Sequence, residues 1–119
     1  MKEEKICEHC GKDHSVNTES EYSELLPEES LLLRLSDFFK IFGDTTRLKI
    51  LVLLDKEPLY VCGIAEALGM TKSAVSHQLK LLRQHDLIRS QRCGKNVLYS
   101  LADSHVRDIV EKAIEHLEE

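Results

Sequence analysis

Apolar residues recur at three- and four-residue spacing over most of this chain, and capping or breaking residues interrupt them at short intervals. Leu31, Leu32, Leu35, Phe38, Phe39 and Phe42 form one such run; Pro27 is placed to open its first turn and Gly43 to end it. Asp44 then caps a second helix over residues 47–54, with Leu48, Leu51, Val52 and Leu54 as its core face, until Lys56-Glu57-Pro58 breaks the pattern. A short helix over residues 61–68 stops at Gly69, and Thr71 caps a longer one reaching Gln84. Residues 87–92 and 97–101 are strand-forming runs on either side of Cys93-Gly94-Lys95-Asn96, which predicts a hairpin. Beyond it Val106, Ile109, Val110, Ala113, Ile114 and Leu117 make the packing stripe of a last amphipathic helix. Residues 1–20 are polar, rich in Ser and Glu and without apolar periodicity, so they are expected to form a flexible N-terminal arm, leaving residues 21–119 for a single domain.

Two helices joined by the tight turn Gly69-Met70-Thr71 are the helix-turn-helix arrangement, whose second helix enters the DNA major groove. Within that second helix Val75, Leu79 and Leu82 recur at i, i+4 and i+7, which buries one stripe and leaves Lys72, Ser73, Ser76, His77 and Lys80 outside. These groups are short, polar or basic, and they can reach base edges and phosphates. Arg92 and Lys95 at the tip of the hairpin would lie beside that helix as a basic wing over the phosphate backbone. The bland alternative is a solvated amphipathic helix followed by an unrelated hairpin.

Charge changes the picture once it is divided by segment. The whole chain carries a formal −5, which argues against a nucleic-acid binder. Residues 70–100, however, hold six Lys or Arg against Asp86 alone, a local +5. Phosphate contact needs such a local surface and does not need a basic protein. No charged start precedes a long apolar run, and no apolar stretch is long enough to cross a bilayer, so the expected setting is the cytoplasm, with neither a membrane partner nor a small organic substrate. In that reducing compartment Cys7, Cys10, Cys62 and Cys93 read as thiols or metal ligands in preference to disulfides.

The last helix carries its own chemistry. Asp103 and His105 stand at its start, His116 and Glu119 at its end. The two histidines leave the same face about 16 Å apart, too far to share an ion that holds nitrogen ligands at about 2.1 Å. Each end therefore supplies half a tetrahedral site. If the helix packs antiparallel on its own copy about a two-fold axis, His105 of one protomer meets the partner's His116, and two equivalent sites arise. Asp103 and His105 can serve one ion only if Asp103 lies outside regular helix, as an N-cap does; His116 and Glu119, three apart, share a face. Two nitrogens and two carboxylates suit zinc or cobalt better than soft copper. The same four residues would also suit an ordinary polar surface.

Taken together, the stretches Phe42-Gly43-Asp44-Thr45-Thr46-Arg47-Leu48-Lys49-Ile50-Leu51, Thr71-Lys72-Ser73-Ala74-Val75-Ser76-His77-Gln78-Leu79, and Arg92-Cys93-Gly94-Lys95 running into Tyr99-Ser100-Leu101 resemble the ArsR/SmtB family of metal-responsive winged-helix repressors. The resemblance covers residues 30–119. It implies a winged helix-turn-helix, mainly α with a β-hairpin wing, dimerised through its terminal helices, that binds operator DNA when metal-free. It also implies that Ser73, Ser76 and His77 read the operator while Lys72, Arg92 and Lys95 hold the backbone. Asp103, His105, His116 and Glu119 match the inter-helix site of the zinc- and cobalt-sensing branch. Family members often carry a second, thiolate-rich site, and here Tyr60 replaces one of its cysteines. Cys7, Cys10 and Cys62 remain as a three-thiolate site for cadmium or lead, with His9, His14 or Asp13 available as a fourth ligand, while Cys93 has no ligand partner in this reading. The rival readings are a cysteine-based sensor of cadmium, lead or oxidants, a metal-blind or structural-zinc winged helix, and a zinc hydrolase. The last is disfavoured because protein donors fill all four positions, leaving none open for an activated water.

Overall fold

The computed structural model describes residues 18–119. Contacts divide the chain into two compact units after Ser36. The described part of the first unit holds α1 (Thr18–Ser23) and the opening turns of α2 (Glu29–Phe42). Tyr22, Leu25, Leu26, Leu31, Leu33 and Leu35 are all exposed there. The short helix α1 lay outside the periodic pattern, since six residues are too few to show one.

The second unit carries the rest of α2 and then α3 (Thr45–Lys56), β1 (Leu59–Tyr60), α4 (Val61–Leu68), α5 (Lys72–Gln84), β2 (Ile88–Cys93), β3 (Asn96–Leu101) and α6 (Ser104–Glu118). The starts of α3 and α5 have a local cause. Asp44 accepts the Arg47 N–H ahead of α3, and Thr71 Oγ1 accepts the Ala74 N–H at 3.0 Å ahead of α5. The left-handed Gly69, at φ +65°, ends α4 and turns the chain toward α5, a conformation that other residues adopt only with strain.

Ile50, Leu51 and Leu54 of α3, Ile64 of α4, Val75, Leu79 and Leu82 of α5, Leu87, Ile88 and Leu101 of the sheet, and Val106 and Val110 of α6 make one core. Two expected core positions fall elsewhere. Leu48 is exposed and Val52 only half-buried, because α3 turns Ile50, Leu51 and Leu54 inward and leaves the other two on its flank. The run Ile50-Leu51-Val52-Leu53-Leu54 is apolar all round, so its periodicity did not single out the inner face. On the last helix, likewise, Val106 and Val110 are buried, whereas Ile114 is 41% and Leu117 82% exposed.

The sheet is antiparallel in the order β1-β3-β2. The predicted hairpin is β2 and β3, in register from Ile88↔Leu101 to Cys93↔Asn96, closed by Gly94 and Lys95 with Gly94 at φ +66°. The third strand, β1, adds Leu59↔Tyr99 and Tyr60↔Leu98. Backbone groups also knit the C-terminus of α5 to the root of α6: the Leu87 N–H donates to the Leu82 carbonyl at 3.0 Å, and the Ala102 N–H donates to the Leu87 carbonyl at 3.0 Å. Among the described residues no helix is long and apolar enough to cross a membrane.

Candidate metal centre and nucleic-acid interface

Helix α5 is seated by Val75, Leu79 and Leu82, all essentially fully buried, so its opposite side is turned outward. Lys72, Ser73, Ser76, His77 and Lys80 are exposed on it, and Ser73, Ser76, His77 and Lys80 stand at i, i+3, i+4 and i+7, a continuous stripe. The N-terminal turn adds the partial positive charge of unpaired amides. Arg92 and Lys95 are exposed at the hairpin end. Arg83 Nη1 donates to Ser90 Oγ at 3.1 Å, tying the last turn of α5 to β2 and so to the wing.

One residue of this apparatus escaped the sequence reading. Arg47 donates through Nε to the Ile41 carbonyl at 2.9 Å and through Nη1 to Gln78 Oε1 at 3.3 Å. It therefore joins the end of α2, the start of α3 and the middle of α5. A signal was present: a cation in the first turn of a helix opposes the helix dipole, so an arginine there needs a partner elsewhere in the fold.

At the start of α6, Asp103 has extended backbone, φ −165° and ψ −176°, and lies outside the helix as its N-cap. Its Oδ1 accepts the His105 N–H at 2.9 Å and the Val106 N–H at 3.2 Å. Its Oδ2 lies 3.6 Å from His105 Nδ1, so carboxylate and imidazole share one edge. The hydrogen bond from the Val106 N–H holds the Asp103 carboxyl below its ordinary value against desolvation, the next-largest effect, with lesser help from the His105 side chain, backbone and charge. His116 and Glu119 are exposed at the far end, beyond the last buried residue of α6. Among the described residues of one chain, no three metal donors converge. A deprotonated carboxylate beside an exposed imidazole has the donor chemistry of half a tetrahedral zinc site.

The thiol candidates divide. Cys7 and Cys10 lie outside the described residues, as do His9, Asp13 and His14. Cys62 is a free, exposed thiol in the first turn of α4. Cys93 does have a neighbour: its charge and its hydrogen bond to the Tyr60 hydroxyl raise the Tyr60 pKa. The tyrosine that stands at the expected cysteine position is thus engaged across the sheet with the wing.

An apolar groove of ≈ 310 Å³ runs between α6 and the α2–α3 corner, lined by Phe39, Phe42, Leu48, Val52, Ile109, Val110, Ala113, Ile114 and Leu117. The two supposed core residues of α3 and the outer stripe of α6 meet here, on the surface of the single chain.

Residues 44–90, from the cap of α3 into β2, match the profile of bacterial regulatory proteins of the arsR family. The chain is 40% identical over 82 residues to a cadmium resistance transcriptional regulatory protein, a CadC homolog of Staphylococcus aureus, covering 68% of each. The chain belongs to the ArsR family. It is also 41% identical over 86 residues to a transcriptional repressor SmtB homolog of Synechocystis, across 72% of this chain but 65% of that one, so it spans just under two thirds of that relative's length. Among solved structures, the homodimeric winged helix-turn-helix DNA-binding domain Mb0332 of Mycobacterium bovis superposes with a TM-score of 0.72 at 25% identity, over 78% of this chain and 88% of that one. This ArsR-family chain accordingly has the winged helix-turn-helix fold, with α4 and α5 as the helix pair and β2–β3 as the wing.

Proposed function

We propose that the chain is a homodimeric transcriptional repressor that holds operator DNA when metal-free and releases it when zinc, or alternatively cobalt, cadmium or lead, binds between subunits, so that metal resistance or efflux genes are expressed. The names of the SmtB and CadC relatives support the class of function. The observation that carries the metal reading is the cap geometry of Asp103, which puts its carboxylate on the His105 edge at one end of α6 while His116 and Glu119 stand free at the other. Antiparallel packing of two such helices brings each half-site to its complement, and the groove beside α6 gives the second copy an apolar seat. In this reading Ser73, Ser76 and His77 contact base edges, and Lys72, Lys80, Arg92 and Lys95 hold phosphates.

Metal that weakens DNA binding must itself bind less tightly to the DNA complex, by the same coupling free energy. A ligand such as His116 can pass its other ring N–H to a backbone carbonyl near residues 85–87, at the end of α5. Because imidazole coordinates in its neutral form, release by zinc weakens on acidification. The test is zinc titration into a complex with duplex DNA selected from a random pool by the metal-free protein, for wild type and His116→Ala. The proposal expects release in the first and little in the second; equal release in both removes the inter-subunit site.

The likeness to the cadmium resistance regulator, together with the exposed Cys62, favours a second, thiolate site with Cys7 and Cys10. Replacing those three cysteines should abolish a cadmium response and leave the zinc response in place. If bound zinc leaves DNA affinity unchanged, the metal is only structural.

A further inference from the structure

Helix α6 is held along an edge that the proposed metal site does not use. With residues about 100° apart and His105 as origin, His116 falls at about 20°, the anchors Val106 and Val110 at about 100° and 140°, and Arg107 and Glu111 at about 200° and 240°. The metal donors and the Arg107–Glu111 edge therefore flank the buried stripe from opposite sides. A helix resting only on an apolar stripe can roll when pulled at one edge, because such contacts have no direction.

The opposite edge removes that freedom. Arg107 Nε donates to Asp55 Oδ1 at 2.6 Å, an ion pair between α6 and the last turn of α3. The Asp55 side chain is only 7% exposed, so its charge is largely withdrawn from water and depends on the guanidinium. Glu111, one turn further along α6, shares Asp55. A hydrogen bond between the two carboxyls, followed by desolvation and the Asp55 charge, raises the Glu111 pKa; Arg107 opposes this and Asp108 adds to it. Helix α3 in turn grips α5 through Arg47 and Gln78.

The geometry points to a positioning role: the Asp55–Arg107 pair fixes the rotation of α6, so that a pull on the His105–His116 edge moves α3, and with it α5, instead of being lost in a roll of α6. The role rests on the metal-release reading above and adds to it the route through α3.

The experiment measures operator affinity with and without saturating zinc for wild type, Asp55→Asn, Arg107→Gln, Arg107→Lys and the swapped pair Asp55→Arg/Arg107→Asp, with zinc affinity in the absence of DNA and thermal stability in chelator alongside. If zinc weakens wild-type binding by about 100-fold, Asp55→Asn and Arg107→Gln should reduce that to about 10-fold or less. Their metal-free operator affinity and zinc affinity should stay within about threefold of wild type, and the swapped pair and Arg107→Lys should recover part of the release. Should Asp55→Asn fail to fold, Arg107→Gln gives the same readout, since its side chain is half exposed. Wild-type release matched by both single variants overturns the positioning role and leaves the metal-release reading standing. Equal losses of metal-free DNA binding and of zinc response show a merely structural pair and overturn it as well. A wild type that zinc does not release from DNA overturns both.

Discussion

Asp103 has two jobs that one substitution pair separates. As N-cap it satisfies the His105 and Val106 amides through Oδ1, and as a carboxylate beside His105 it would be a ligand in the proposed metal site. Asp103→Ala removes the acceptor for both amides; Asp103→Asn keeps an acceptor but removes the charge. Loss of an N-cap costs about 0.5–2 kcal/mol. Asp103 is about half exposed, so water replaces part of what the side chain gave, and the first turn of α6 is otherwise held by buried Val106 and the Arg107–Asp55 ion pair. The cost should fall near 1 kcal/mol per chain, a loss of about 3–6 °C in Tm for a domain of this size. Thermal unfolding followed by circular dichroism, in chelator and at one fixed protein concentration because a dimer's Tm depends on it, should place Asp103→Asn within about 1–2 °C of wild type. Zinc affinity should fall in both variants. Equal Tm losses for Asn and Ala would refute the capping argument, as would an unchanged Tm in Asp103→Ala. The pH dependence has a defined sign: a carboxyl held below its ordinary value of 3.8 stabilises the fold above that pH, and the contribution disappears as pH falls through its folded value.

Glu111 has the opposite sign: its raised pKa means the folded chain holds the proton more tightly, so stability should fall as pH rises from the ordinary value of 4.5 through the folded value, and Glu111→Gln should flatten that slope in urea titrations across the acid range. Leu117→Glu changes a side chain 82% exposed in the single chain, so the fold should survive while sedimentation shows the dimer dissociating; an unchanged dimer would place the seam elsewhere. Arg47→Ala should lower stability by about 1–3 kcal/mol and weaken metal-free DNA binding, and Arg47→Lys should recover little because an ammonium cannot span both acceptors; full recovery by Lys would reduce the residue to its charge.

What the sequence disclosed follows the range of the forces involved. Gly69, Thr71 and Asp44 punctuate the chain through bonds to neighbours a few residues away, so α4 and α5 could be bounded from local pattern alone. The two-residue strand β1 is defined by partners some forty positions later and has no alternation of its own to read. Ile50 is core while Leu48 and Val52 line the groove beside α6, a division the sequence does not reveal because an all-apolar run does not say which face meets the chain's own interior. The Asp103 cap was legible as a side-chain oxygen ahead of an amphipathic run. Arg47 and Asp55 were not, since their partners lie on other helices. The half-sites at the two ends of α6 were proposed from spacing, and a single chain shows them only as separated donors.

The backbone link from Leu82 through Leu87 to Ala102 joins the reading helix to the residue beside Asp103 using peptide groups alone. Every amino acid except proline carries that donor, and all carry that acceptor. Side chains at the root of the last helix can therefore be exchanged without cutting the link between that helix and α5. Only an imino acid at position 87 or 102 would cut it.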